Sequence, residues 1–433
     1  MFKDYVQKKL EEFVVQYFAA HPSVKLIAVA GSVGKTSTKA AIAEILTDGY
    51  RVRMELKNYN TEISAPMAIL GIDMPENVRS IRAWMKVFKT AKQRVATPDD
   101  VDVIVVELGA DKIGDMVAFS KYLKPDLAIV TGVTSEHMEA FGTLAKVAEE
   151  ELMAANMSKA ALINRDDVDG TAFAQFLTNQ NLSTYGNNEP AEYSFAIGDF
   201  DFEKGYTGTF KTRELGEIPA VVHVFGEHSL RPVVAAVAVA CKMGMSLEQV
   251  QRGLTRVRPI AGRMNVLRGM HDSLLIDDTY NSSPAALDAA IRTLYETNAA
   301  SRIAVIGDMN ELGADSAIEH EKAGKLCDPS LLSWVITVGK EAEKYLAPAA
   351  QERGCQVRSF KDAMSAIIFL HQIMAMEKGA AILFKGSQGG IYLEEMVKEM
   401  LYSADDVQKL VRQSSAWMNT KREFFAKVNE NEE

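Results

Sequence analysis

Between Leu26 and Leu46 the chain reads LIAVAGSVGKTSTKAAIAEIL: an apolar run, a glycine loop ending in Gly34-Lys35-Thr36, then a helix-forming segment. Strand, glycine turn and helix in that order make a P-loop, whose backbone N–H groups and helix N-terminus face phosphate oxygens. Gly31, Ser32, Gly34, Lys35, Thr36 and Ser37 are the candidate phosphate-binding residues. The lysine is the group that reaches the terminal phosphates, and the threonine hydroxyl suits magnesium. Val29 stands where the commoner pattern carries its first glycine, so this is a short Gly-x-x-Gly-Lys-Thr version. The expected ligand is a nucleoside triphosphate; the plainer alternative is a glycine turn that binds nothing.

A chain of 433 residues is too long for one ordinary core, which sets an expectation of two domains. A net charge of −10, with no basic patch evident along the chain, argues against a nucleic-acid partner. Cys241, Cys327 and Cys355 fit neither a disulfide framework nor a zinc spacing, and the N-terminus lacks a signal-peptide pattern, so a reducing cytoplasm is expected. No segment approaches the roughly 18 consecutive apolar residues of a membrane span.

The architecture expected is α/β: a P-loop central domain with a mostly parallel sheet and a β-rich edge, followed by a Rossmann-like C-terminal α/β domain. Residues 1–21 are read as an N-terminal helix, 22–259 as the central domain and 260–433 as the C-terminal domain. In the first helix Phe2, Val6, Leu10, Phe13, Val14 and Phe18 recur at three- to four-residue spacing and mark one apolar face, with packing on the first domain favoured over a membrane-surface role. Strands are expected at 51–56, 101–107, 127–131 and 161–164, a β-rich meander at 192–225, and an alanine- and valine-rich helix at 231–243 with Pro232 in its first turn. The second unit repeats apolar strands at 274–277, 303–306, 335–338 and 381–384. Polar residues gather just after several strands, where open α/β sheets bind ligands. The tail after residue 403 is charged, helical in composition and without a functional signal.

Several short motifs follow one another in order: Gly31-Ser-Val-Gly-Lys-Thr-Ser, Asn58-x-Asn60-x-Glu62-Ile, Glu107-Leu-Gly-Ala, Glu136-His137-x-Glu-x-Phe-Gly, Gly262-Arg263, Asp277-Asp278-Thr-Tyr-Asn281, Gly307-Asp-Met-x-Glu311-Leu-Gly and Lys385-Gly-Ser387. The set resembles the Mur ligases, and within them the tripeptide ligases, over most of the chain. The resemblance implies an ATP- and Mg²⁺-dependent ligase of peptidoglycan precursor synthesis. Such an enzyme phosphorylates a carboxylate and lets an amine attack the acyl phosphate. It implies Lys35, Glu107, His137 and Glu151 as catalytic residues, with Thr36, Glu107, His137 and Glu151 serving metal. Arg263, Asp278 and Asn281 would serve the ATP phosphates and ribose, and Asn58, Asn60, Glu62, Lys385 and Ser387 the substrates. Nucleotide residues on two domains imply closure around ATP.

Blander readings stand beside these. Glu107 is also what a solvated strand end looks like, His137 what many loops carry, and Asp277, Asp278, Asn281 or Ser283 what caps a helix. His21, His223 and His271 have no motif around them and read as structural or surface residues. The chain also departs from the family pattern. About twenty residues before the P-loop are too few for the domain with which tripeptide ligases hold UDP, leaving that part of the substrate to a separate sugar-nucleotide-binding subunit or to a different acceptor. Glu151, within Glu149-Glu150-Glu151, occupies the position of a carbamylated lysine and supplies a carboxylate directly, unless all three merely decorate a helix. His228-Ser229-Leu230-Arg231-Pro232 replaces an adenine-contacting His-Asn-x-x-Asn, and Gln388 replaces an arginine, so the amine is not fixed as D-alanyl-D-alanine. The alternatives are a folylpolyglutamate-synthase-like ligase for another acid and a nucleotide-binding, non-catalytic partner subunit.

Overall fold

The computed structural model describes residues 2–55, 59–98, 101–135, 137–201 and 204–430. It divides into two compact units: Met1–Thr134 with Ala140–Val224 and Ser229–Arg258, and Pro259–Glu433 with the short segments Ser135–Glu139 and Phe225–His228.

The first unit contains β1 (Lys25–Ala30), β2 (Val52–Met54), β3 (Val103–Glu107), β4 (Leu127–Val130), β5 (Ala161–Asn164) and β6 (Leu182–Tyr185). They form one sheet in the order β2-β3-β1-β4-β5-β6, and every neighbouring pair is parallel. β1 is central and apolar, with Leu26 to Ala30 buried, as a parallel strand covered on both faces must be. On one face the Lys35–Leu46 helix packs beside the Leu230–Lys242 helix, and Ile27, Val29, Ile42, Ile129, Val233 and Val237 join one core. A separate antiparallel meander, β7 (Ser194–Asp201), β8 (Gly205–Thr212) and β9 (Gly216–Val222), matches the β-rich stretch.

The second unit carries β10 (Asn265–Arg268), β11 (Leu274–Asp278), β12 (Arg302–Gly307), β13 (Trp334–Val338), β14 (Val357–Phe360) and β15 (Ala381–Lys385). Their order is β10-β11-β15-β12-β13-β14, parallel except for the antiparallel β10. The mixed α/β architecture is therefore the one the sequence implied.

Three strands, β6, β10 and β14, were not expected, and all three lie at sheet edges. Edge strands keep one flank in water, so LSTY, NVLR and VRSF carry mixed polarity instead of an apolar run. In the N-terminal helix, Phe2–Ala20, the buried face is Val6, Leu10, Val14 and Tyr17, while Phe2 is exposed. The charged tail is helical as expected, over Ser415–Glu430, and carries Lys421, which is fully buried.

Candidate nucleotide and catalytic site

In the first unit the site starts at the carboxyl end of β1. Gly31 has φ +124°, and a Cβ there would lie 2.3 Å from Thr131 Oγ1 and 2.8 Å from the backbone N of Thr131 and Gly132, so only glycine fits. Gly34, at φ 80°, opens the Lys35–Leu46 helix in the left-handed conformation. Bonds to the loop after β4 fix the turn: Ser32 N donates to Gly132 O at 2.9 Å, Thr134 N to Ser32 Oγ at 3.1 Å, and Thr131 Oγ1 to Val33 O at 2.5 Å. Lys35 Nζ folds back onto Gly31 O and, at 3.2 Å, Ser32 O. Ser37 lies half-buried in the first turn of the helix.

The first turn faces the end of β3. Thr36 Oγ1 donates to Glu107 Oε2 at 3.0 Å, and Asn60 Nδ2 donates to Glu107 Oε1 at 3.2 Å. Lys39, which sequence reasoning missed, places its buried Nζ 3.4 Å from Glu107 Oε2. The available signal was its spacing: Thr36 and Lys39 are three residues apart on one helix face. Glu107 is buried, not a solvated strand end.

Glu149, Glu150 and Glu151 separate into three roles. Glu149 is exposed and pairs with Lys146 at 2.7 Å. Glu150 accepts from Gly114 N at 2.9 Å and Met116 N at 2.6 Å, capping the Asp115–Ser120 helix. Glu151 is buried and accepts the Gly31 N–H at 2.7 Å, directly under the P-loop. Of the other expected substrate contacts here, Glu62 pairs with Lys3 at 2.8 Å, and Asn58 lies outside the described residues, as does Glu136.

The second unit gathers another set around the end of β11. Asp277 accepts from Gly262 N at 3.0 Å and from Thr279 Oγ1 at 2.6 Å; burial pushes its carboxyl up to about 6. Asp278 accepts from Met264 N at 3.2 Å and pairs with Lys385 Nζ at 2.6 Å, and Lys385 also donates to Asn281 O at 3.0 Å. Ser387 Oγ accepts from Asn310 N at 2.8 Å. Arg263 stacks 4.2 Å over the Tyr280 ring. The helix after this loop, Pro284–Glu296, begins at Ser283 with no side-chain cap bond, while Asp277 accepts from Gly262 N and Thr279 N, Asp278 from Met264 N and Asn281 Oδ1 from Gln388 N.

A second missed residue lies in the tail. Arg412, at φ 55°, forks onto Glu394 with two 2.8 Å bonds and donates to Thr279 O at 2.6 Å and Tyr280 O at 3.1 Å. Lys421 completes the buried cluster, 2.8 Å from Glu394 and 2.6 Å from Glu395. His137 belongs to this unit, with φ 52°; its Nδ1 meets Glu311 Oε2 at 3.0 Å and holds that carboxyl below its usual range.

Among the described residues no group of three or more His, Cys, Asp and Glu side chains stands together as a metal cluster. Within the first unit Glu107 takes the Thr36 hydroxyl and the Lys39 ammonium, and Glu151 the Gly31 N–H; within the second, His137 meets Glu311. Thr36 with Glu107 does fit one magnesium, which takes hard oxygen ligands and usually only one or two carboxylates beside phosphate and water. The Gly31 turn, too tight for a Cβ, fits phosphate against backbone N–H.

A glycine loop with Lys35, Thr36 and Glu107, ahead of a second α/β unit, defines a P-loop nucleotide-binding protein with two α/β units. Residues 29–240 match the Mur ligase middle domain and residues 262–388 the Mur ligase glutamate ligase domain, so the chain belongs to the Mur ligase family. It is 28% identical over 386 residues to the UDP-N-acetylmuramoyl-tripeptide–D-alanyl-D-alanine ligase of Bacillus subtilis, covering 88% of this chain and 76% of that one. The Escherichia coli enzyme of the same name is 26% identical over 379 residues, covering 87% and 76%. Among solved structures, MurF from Acinetobacter baumannii superposes with a TM-score of 0.75 at 24% identity, over 90% of this chain and 79% of that one. MurF from Thermotoga maritima in complex with ADP gives 0.72 at 22%, over 94% and 84%.

Proposed function

We propose that the protein activates the carboxylate of a peptidoglycan precursor peptide with ATP and joins it to an amine, releasing ADP and phosphate. The observation that carries this reading is the Thr36–Glu107 pair beside a glycine loop that a Cβ would fill. In the resting loop Lys35 spends its protons on the carbonyls of Gly31 and Ser32. Triphosphate binding exchanges those bonds for phosphate oxygens, moving a positive charge to where negative charge is transferred. Thr36 and Glu107 would hold a magnesium ion, which would supply further positive charge to those oxygens. Lys39 lies beside Glu107, so the buried carboxylate is balanced by a cation of the chain itself.

The γ-phosphoryl group passes to the acceptor carboxylate; the amine nitrogen then attacks the acyl carbon, phosphate leaves and the amine gives up a proton. Lys385 and Ser387 are the candidate substrate groups in the second unit, and Glu151, Arg263, Asp278 and Asn281 the candidate supports for metal and nucleotide. Retention of Lys35 in the glycine loop, with Thr36 bonded to Glu107, disfavours a non-catalytic binding role. With neutral Gln388 in place of an arginine, the amine need not be D-alanyl-D-alanine.

Phosphate release from ATP tests this, with UDP-N-acetylmuramoyl-tripeptide and related peptides as acids and D-alanyl-D-alanine and other dipeptides as amines, products being weighed by mass spectrometry. Turnover that requires both an acid and an amine, with a new amide of the summed mass less water, is the expected result. ATP hydrolysis indifferent to every acid and amine would refute it.

A further inference from the structure

The surface of the first unit carries a feature the ligase reading does not use. From Asn77 to Pro98 the sequence has six basic residues, Arg79, Arg82, Lys86, Lys89, Lys92 and Arg94, and no acidic one. All six are exposed, and among the described residues none pairs with a carboxylate. In a chain of net charge −10 this is a strong local excess, and it corrects the expectation that no basic patch exists.

The Ile81–Ala96 helix explains the segregation. Trp84, Val87 and Ala91 are buried on its inner side, with Phe88 ringed by Tyr5, Phe13 and Trp84. At 3.6 residues per turn Arg82, Lys86, Lys89 and Lys92 fall on the outer side together with Ile81 and Met85. Those two apolar side chains are 64% and 65% exposed, and Val78, just before the helix, is 51% exposed. Large apolar side chains set among unpaired cations are the pattern of a surface that meets an anionic bilayer: cations at the headgroups, apolar tips below them.

We propose that this helix docks the protein peripherally on a membrane bearing anionic lipid headgroups. The inference rests on exposure, charge and helix geometry alone and is independent of the ligase assignment. A nucleic acid would answer to the cations but gives Val78, Ile81 and Met85 no role, and an acidic protein is distinguished by the test below.

The full-length chain is sedimented with vesicles of phosphatidylcholine alone and with vesicles that also contain phosphatidylglycerol. Binding is expected only to the second, falling as salt screens the charges. The triple variant Arg82→Glu, Lys86→Glu, Lys89→Glu should bind at least about tenfold more weakly, and Ile81→Ser with Met85→Ser should remove the part of binding that survives high salt. All five positions are exposed, so circular dichroism and basal ATP turnover should match the parent. Equal binding to both vesicle types, no binding to either, or retention of an oligonucleotide or acidic polypeptide in place of vesicles would overturn the proposal.

Discussion

In the P-loop the chain aims main-chain N–H groups, and a few glycines and short hydroxyl bonds suffice to hold them: Gly31 against Thr131, Ser32 against Gly132 and Thr134. Around the end of β11 the opposite strategy operates. Asp278, Lys385 and Arg263 are charged side chains, and their loop is fixed from behind by Arg412, reaching from more than a hundred residues later in the chain. A backbone site is local in sequence and sensitive to one methyl group. A side-chain site is distributed, and a change far from any ligand can reach it through the buried charges of Glu394, Arg412 and Lys421.

The largest effect should come from the P-loop lysine of the backbone site. Lys35→Ala should lower substrate-dependent phosphate release by about a thousandfold or more with the circular dichroism spectrum unchanged. Equal activity in a folded variant would break the P-loop side of the comparison.

Next in size is the brace of the second unit. Arg412→Ala leaves Glu394 buried with only Lys421 beside it, and breaking a buried pair this way costs about 3–5 kcal/mol. Urea unfolding should show that loss, and the apparent affinity for ATP should weaken, although Arg412 lies outside every expected site motif. Arg412→Lys keeps the charge without the two-pronged geometry and should fall between. Full stability of Arg412→Ala would mean that the loop holds itself.

Acid should separate the two regions further. Asp277 is raised from 3.8 to about 6, chiefly by burial, so between those values the folded chain binds more protons than the unfolded one. Stability contributed by the neutral carboxyl is complete below 3.8 and is lost as pH rises to about 6, on the order of 3 kcal/mol in all. Unfolding free energies of the parent and Asp277→Asn, compared across that window, should differ in slope in this sense. Parallel pH profiles would show that Asp277 titrates normally.

What the sequence disclosed follows the same division. The P-loop was readable because its geometry demands glycine, lysine and threonine at fixed neighbouring positions, and the buried parallel strands because their apolar runs are continuous. Lys39 was not, because a lysine in a helix is ordinarily a solvated one, and only the packing of that helix on β3 turns it toward Glu107. Arg412 left no local trace at all: a left-handed arginine in a charged tail acquires its meaning from Thr279 and Tyr280. The helix-capping alternative at Ser283 also illustrates the limit, since the residue type was right and the hydrogen bond is absent.

Glu151 tests the boundary between the two strategies, because it is a charged side chain serving the backbone site. Its carboxylate takes the Gly31 N–H, and a glutamine in its place can still accept that bond through its amide oxygen. If Glu151 only clamps the loop, Glu151→Gln should turn over normally and Glu151→Ala should fail. If its charge also supports a cation, Glu151→Gln should be about tenfold slower at limiting magnesium, recover as magnesium rises, and bind ATP as before. The second outcome is the expected one, since a buried carboxylate is a costly way to hold one N–H that a neutral oxygen would hold equally well. It carries a further consequence: the parent should be indifferent to dissolved carbon dioxide, whereas Glu151→Lys should become dependent on bicarbonate. Full turnover of Glu151→Gln at limiting magnesium would assign Glu151 wholly to the backbone strategy.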